Sequence, residues 1–213
     1  AQVGDDFQIN PEQIESRYFG ILTKIFNVGR FASQFDFDGD LDKVPDSLEN
    51  EDQWILAEFS DLLEKAKVGY SGLDIYTAAQ GIKTFSTGVF ASHWLEMSKT
   101  RLYNGDTSAT WTLHRIFRDL LSILSPICPF FTHHLSTILY EKSAVDVDIF
   151  PEIPMTGTEK WTKMTDSLVG FNSAVWKAKK DAGISLAAPI SGHTVPDELK
   201  NIGPALVSMH KLE

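Results

Sequence analysis

From about Leu73 to Tyr103 the sequence carries one unbroken pattern, with apolar residues Tyr76, Ala79, Ile82, Phe85, Val89, Trp94 and Met97 at helical spacing. Residues three or four apart share one face of a helix, whereas a half-buried strand requires strict alternation. A helix this long cannot hide its apolar stripe alone, so the rest of the chain must supply partners of comparable length. Gly81 and Gly88 weaken the helix locally, and their small size permits close approach by a neighbour.

The partners are legible on both sides. Asn10-Pro11-Glu12-Gln13 is a helix start, with Asn10 as cap, Pro11 at the first helical position and Gln13 completing a capping box. Ile14, Tyr18, Ile21, Ile25 and Val28 then predict a helix to about Phe35. A second helix is predicted over Asn50–Lys67, with Ile55, Phe59, Leu62 and Leu63 on its stripe and Gly69 and Gly72 at its end. Asn104-Gly105-Asp106 reads as a turn that caps a helix from Thr107 to Leu124. Ser125 to Pro129 forces a break, after which helix resumes to about Tyr140.

Beyond that point, Val145, Val147 and Ile149 alternate with acidic residues, so Asp146 to Pro154 is expected to be extended. Thr158 to Asp181 reads as one more helix, and Ile184-Ser185-Leu186 and His193-Thr194-Val195 as two small strands. The expected fold is an all-α, up-and-down helix bundle over residues 1–155. A small C-terminal α+β appendage over 156–213, which reads as incomplete, follows it.

The longest apolar run, Leu120 to Phe131, is broken by serines and two prolines. It falls short of the about 20 apolar residues that span a bilayer. No charged-then-apolar signal segment opens the sequence, so a cytoplasmic protein is expected. Cys128 has no second cysteine to pair with and reads as a buried, inert thiol. The net charge of −10 argues against a nucleic-acid partner until its distribution is considered. Residues 1–66 hold 15 acidic and 5 basic side chains, whereas 67–213 hold 14 of each. The acidity clusters between Asp36 and Asp52, around Gly39 and Pro45, which is the composition of a solvated connector.

Signatures of catalysis are missing: no G-x-x-x-x-G-K, G-x-G-x-x-G or G-x-S-x-G occurs. His133-His134 lacks a partner at metal-ligand spacing, and adjacent helical residues point about 100° apart, so no metal site is expected.

Several segments together resemble the anticodon-binding domain of the class Ia aminoacyl-tRNA synthetases. Thr23 to Phe31, with Lys24, Asn27, Arg30 and Phe31, is similar to the first bundle helix of that family. Trp94 to Tyr103 resembles its W-x-E-x-x-K-x-R-x-Y helix, and Leu124-Ser125-Pro126 with Pro129-Phe130-Phe131-Thr132 resembles its kinked helix. Phe171 to Ile190, especially Trp176 to Lys180 and Leu186 to Ile190, is similar to the segment that closes the region in the valyl branch. Ala1 to Asp6 resembles the linker that follows the family's catalytic domain. Phe19 and Gly20 stand where arginines are common, and His133-His134 where acidic residues are common. Glu96-Met97-Ser98-Lys99-Thr100 is similar to the family's phosphate-binding K-M-S-K-S loop, but Glu96 would repel phosphate and the helical pattern runs through it. It reads as helix surface with Met97 in the core.

The resemblance implies a domain without a catalytic site or cofactor of its own, belonging to a longer ligase that uses ATP with magnesium. The implied partners are a tRNA, valine-accepting, and the chain's own catalytic domain. No membrane partner and a monomeric state are expected. Unpaired anticodon bases can stack on aromatic or arginine planes while lysines and arginines meet phosphates. The first candidate contacts are Lys24, Asn27, Arg30 and Phe31; Lys99 and Arg101 form a second face; Lys177, Lys179 and Lys180 are the densest basic patch. The same residue types also brace helices, fill cores and complement helix C-termini. An isoleucyl or leucyl relative, a free-standing tRNA-binding module and a helical protein-interaction module remain the alternatives.

Overall fold

A computed structural model describes residues 11–141, 150–154 and 157–213, apart from the side chains of 13–18. The chain folds into α1 (Pro11–Ala32), α2 (Asn50–Ser71), α3 (Ile75–Lys83), a π-helical segment (Thr84–Trp94) and α4 (Leu95–Tyr103). Then come α5 (Thr107–Leu124), α6 (Pro129–Tyr140), α7 (Glu159–Thr162), α8 (Thr165–Asp181), a 3₁₀ turn (Asp197–Ile202) and α9 (Gly203–His210). The caps assigned to Asn10 and the Gln13 side chain, and the alternation at 145–149, lie outside the described residues.

Side-chain bonds give the helix directions. Asp52 at the start of α2 meets Trp94 and Arg101, so α2 is antiparallel to the α3–π–α4 run. Tyr70 at the end of α2 donates to the Ile123 carbonyl at the end of α5, making those two parallel. Phe35, just past α1, meets His114 in the middle of α5. The bundle is up-and-down, as the period implied. Its core combines Trp54, Phe59, Phe90, Trp94, Trp111 and Phe117, all buried. Gly81 belongs to the close contact expected of it, since a Cβ there would lie 3.0 Å from Leu62, whereas Gly88 has open space.

Four expectations need correction. The long third helix is not uniformly α: its Thr84–Trp94 stretch is π-helical. The helix expected over 158–181 is two helices, α7 and α8, separated at Lys163-Met164. Ile184–Leu186 and His193–Val195 are not strands; the C-terminal part is helix and loop with one parallel bridge, Ile190 to Leu212. These segments follow left-handed glycines (Gly183 and Gly192, φ +67° and +79°), and among the described residues they have no neighbouring strand to pair with. The acidic connector is more than a solvated loop. Phe35, Phe37, Leu41, Val44 and Leu48 pack on the core, while Arg115 and Arg118 hold the Leu41 carbonyl and the Asp42 carboxylate.

The C-terminal elements share the main core through Trp161, Leu168, Leu199, Ile202 and Leu206. Trp54 Nε1 donates to Thr165 Oγ1 at 2.8 Å, and Asn50 Nδ2 to the Asn201 carbonyl at 2.8 Å. Both bonds tie the start of α2 to the C-terminal third of the chain. Cys128 is half-buried, and burial pushes its thiol upward, which favours the protonated, unreactive form. No described helix is long and apolar enough to cross a membrane.

Candidate nucleic-acid interface

Three observations place α1 beside the π–α4 run. Lys24 Nζ donates to the Thr87 carbonyl and, at 2.9 Å, to Ser92 Oγ. Ser92 Oγ also donates to Thr87 O at 2.7 Å, so the polar atoms around the wider π turn are satisfied partly by side chains. Seven residues further along α1, the Phe31 ring meets Tyr103 edge-on at 6.1 Å. Phe35 completes the cluster, 5.0 Å from Phe31 and 5.3 Å from Tyr103.

Between those anchors, Glu96, Lys99 and Tyr103 occupy one stripe of α4, because residues three, four and seven apart lie on one helical face. Asn27 and Arg30 are exposed on α1, and Tyr103 is 64% exposed. Phe31 is half-buried. Lys99 is held by Glu96 at 2.7 Å in a pair exposed on both sides. Such a pair is worth about 0–1 kcal/mol, so a phosphate can compete for the ammonium. Tyr103 was not singled out as a site residue in the sequence, although it ends the W-x-E-x-x-K-x-R-x-Y pattern and lies four residues beyond Lys99.

Lys24 is partly withdrawn from solvent. Burial lowers its pKa, and both of its described bonds go to the protein's own π segment. The structure therefore shows it fastening α1 to its neighbour.

Arg101 requires a correction. It lies two residues, about 200° of helix rotation, from Lys99, so the two cannot share a face. Its guanidinium forms a fork with Asp52 (3.0 and 2.7 Å) and also binds Asp106 (2.9 Å) and Glu51 (3.0 Å). Burial opposes its charge, but the bonds to Asp52 and Asp106 raise its pKa nonetheless. Asp52 is fully buried and also accepts from Trp94 Nε1 (3.1 Å) and Ser108 Oγ (2.7 Å). Trp94 and Arg101 of the shared motif are thus joined through one carboxylate, which locks α2, α4 and the start of α5 together.

Lys179 requires the same correction. It is fully buried, and Nζ donates to the Leu186 and His210 carbonyls at 2.8 Å each. Lys177 and Lys180 are exposed and share one face of α8. The basic patch therefore presents two lysines to solvent. Asn172 links His93 and His210 beside it: its amide nitrogen lies 2.9 Å from His93 Nδ1, and its oxygen 2.8 Å from His210 Nε2. His93 stacks on Trp176 at 5.4 Å. Desolvation, helped by Lys179 and by His193 and His93, pushes His210 down to about 4. Desolvation and Lys24 also lower His93.

His133 and His134 lie exposed on α6, and the described residues contain no cluster of three or more side chains suited to a metal. Together α1 and α4 expose a cation (Arg30), an amide (Asn27), an aromatic ring (Tyr103) and a second cation (Lys99) held only by a surface pair. That set suits an anionic chain bearing planar groups.

Residues 52–194 match the model of the anticodon-binding domain of tRNA ligase. The chain belongs to this family. Its relatives include the valine–tRNA ligase of Saccharolobus solfataricus, 30% identical over 193 residues, covering 90% of this chain and 23% of that protein. The valine–tRNA ligase of Pyrobaculum aerophilum is 31% identical over 226 residues, covering 100% of this chain and 27% of the relative. That of Nanoarchaeum equitans is 27% identical over 218 residues, covering 99% and 27% respectively. The chain thus spans about a quarter of the length of these curated relatives.

Proposed function

We propose that this domain grips the anticodon stem-loop of a valine-accepting tRNA and positions it for charging by the catalytic domain of a valine–tRNA ligase. ATP and magnesium belong to that catalytic part. The reading is supported by the exposure of Asn27 and Arg30 on α1 and of Tyr103, four residues beyond Lys99, on α4, two helices linked through Phe31 and Tyr103; we read these side chains as one α1–α4 face. Arg30 and Lys99 meet phosphates, Asn27 reads a base edge, and Tyr103, buttressed by Phe31 and Phe35, carries an unstacked base. Lys24 sets the distance between α1 and the π segment. A cytoplasmic, monomeric enzyme is the setting consistent with this role, with the bundle of residues 1–155 as the gripping unit and 156–213 as its buttress.

The test is a titration of the chain with a valine-accepting tRNA and an unrelated tRNA at two salt concentrations. The reading expects preference for the former and a steep loss of affinity with salt. Equal, salt-independent affinities, or no binding at low salt, would refute it.

A further inference from the structure

A second surface lies at the C-terminal end of α8. Trp176, Lys177, Lys180, Ile184, Ser185 and Leu186 line an open groove of about 690 Å³. Its floor is apolar, with Ile184 38% and Leu186 55% exposed. Lys177 and Lys180 stand on one rim, and neither has an ion-pair partner among the described residues. The loop that forms the other wall is fixed from beneath, because buried Lys179 donates to the Leu186 carbonyl. The groove is thus built around a held loop.

The floor asks for a flat apolar group and the rim for a nearby negative charge. In a chain of net charge −10, two unpaired lysines beside an apolar groove are a local inversion of the prevailing field. Both surfaces are also anchored on the same segment: Lys24 of α1 binds Thr87 and Ser92, while Trp176 of α8 stacks on His93. From this juxtaposition we infer that the α8 groove is a second RNA subsite. It packs one unpaired base against Trp176, Ile184 and Leu186, and meets the flanking phosphates with Lys177 and Lys180. The inference rests on the RNA-binding reading above but assigns a separate place on the protein.

Tryptophan fluorescence reads this site selectively. Trp54, Trp94, Trp111 and Trp161 are at most 4% exposed, whereas Trp176 is partly open to solvent. The full chain is titrated with single-stranded hexaadenylate, with inorganic phosphate and with a peptide of alternating glutamate and leucine. Fluorescence anisotropy of a labelled hexaadenylate reports total binding in parallel. Hexaadenylate is expected to quench the emission with a log–log salt slope of about −1.4, for two neutralised single-strand phosphates. The double variant K177Q/K180Q is expected to abolish that slope, and phosphate alone to leave the emission unchanged. Anisotropy showing bound oligonucleotide without quenching would overturn the subsite while leaving the α1–α4 reading intact. Quenching by the peptide but not by hexaadenylate, or a slope unchanged in the double variant, would overturn it equally. Failure of both hexaadenylate and tRNA to bind would remove both readings.

Discussion

At the residue scale, neighbours in the sequence have opposite duties. Arg101 points inward to a fully buried carboxylate, and Lys99 outward to a surface partner. Removing one member of a buried pair leaves the other charge uncompensated, which costs about 3–5 kcal/mol. Arg101→Leu should therefore lower the thermal midpoint sharply, as followed by circular dichroism. Lys99→Ala should stay within about 0.5 kcal/mol of the parent and alter only RNA affinity. Similar midpoints for the two variants would show that the Asp52 network carries no weight. Lys179 sharpens the contrast with Lys177 and Lys180. Lys179→Met strands two carbonyls at about 1–3 kcal/mol each, whereas Lys177→Gln is expected to be neutral for stability.

At the scale of elements, the histidines that join α8, α9 and the π segment make stability depend on pH. His93 and His210 have pKa values lowered first by desolvation, His210 to about 4, and His114 on α5, against Phe35 and Tyr140, is lowered in the same way. The neutral rings are favoured in the fold, and unfolded histidine titrates near about 6.5. As pH falls below that value the unfolded chain takes up protons that the folded one refuses, so stability declines toward pH about 4. Above it, these groups contribute their full stabilisation. The expected midpoint is flat from neutral pH to about 6.5 and then falls, with His210→Gln reducing the slope. A midpoint that rises on acidification through this window would contradict the Asn172-centred network.

The same elements show what the sequence could and could not reveal. Apolar period located α1 and α2, because core burial writes a repeat of three and four into a helix, while the Asp106 cap and the break at Ser125–Pro129 located α5 and α6. It could not separate α-helical from π-helical turns between Thr84 and Trp94, where the distinction lies in backbone bonding. Nor could it tell a lysine that grips a phosphate from one that holds a loop. Lys177, Lys179 and Lys180 are alike as letters, and only the fold, which brings the Leu186 and His210 carbonyls onto one ammonium, singles out the middle one. Arg101 was within reach of helical geometry, since two residues of separation from Lys99 already exclude a shared face. Three-residue segments such as 184–186 and 193–195 are too short for sequence pattern to separate a strand from a loop, and the structure makes both of them loop.

At the scale of the whole molecule, a bundle of net charge −10 can bind a polyanion only if its cations are gathered and its acids occupied elsewhere. Asp52, Asp106 and Glu51 are engaged by Arg101, and Asp42 and Asp119 by Arg118. These pairs leave Arg30, Lys177 and Lys180 facing solvent. The central claim is that the α1–α4 face holds the anticodon stem-loop. Its most direct test is the affinity of the double variant R30E/K99E for a hairpin bearing a valine anticodon, measured at low salt beside the parent chain. The account predicts a loss of at least about tenfold, a shallower salt slope and an unchanged thermal midpoint. Parent-like affinity and slope in a folded double variant would contradict it.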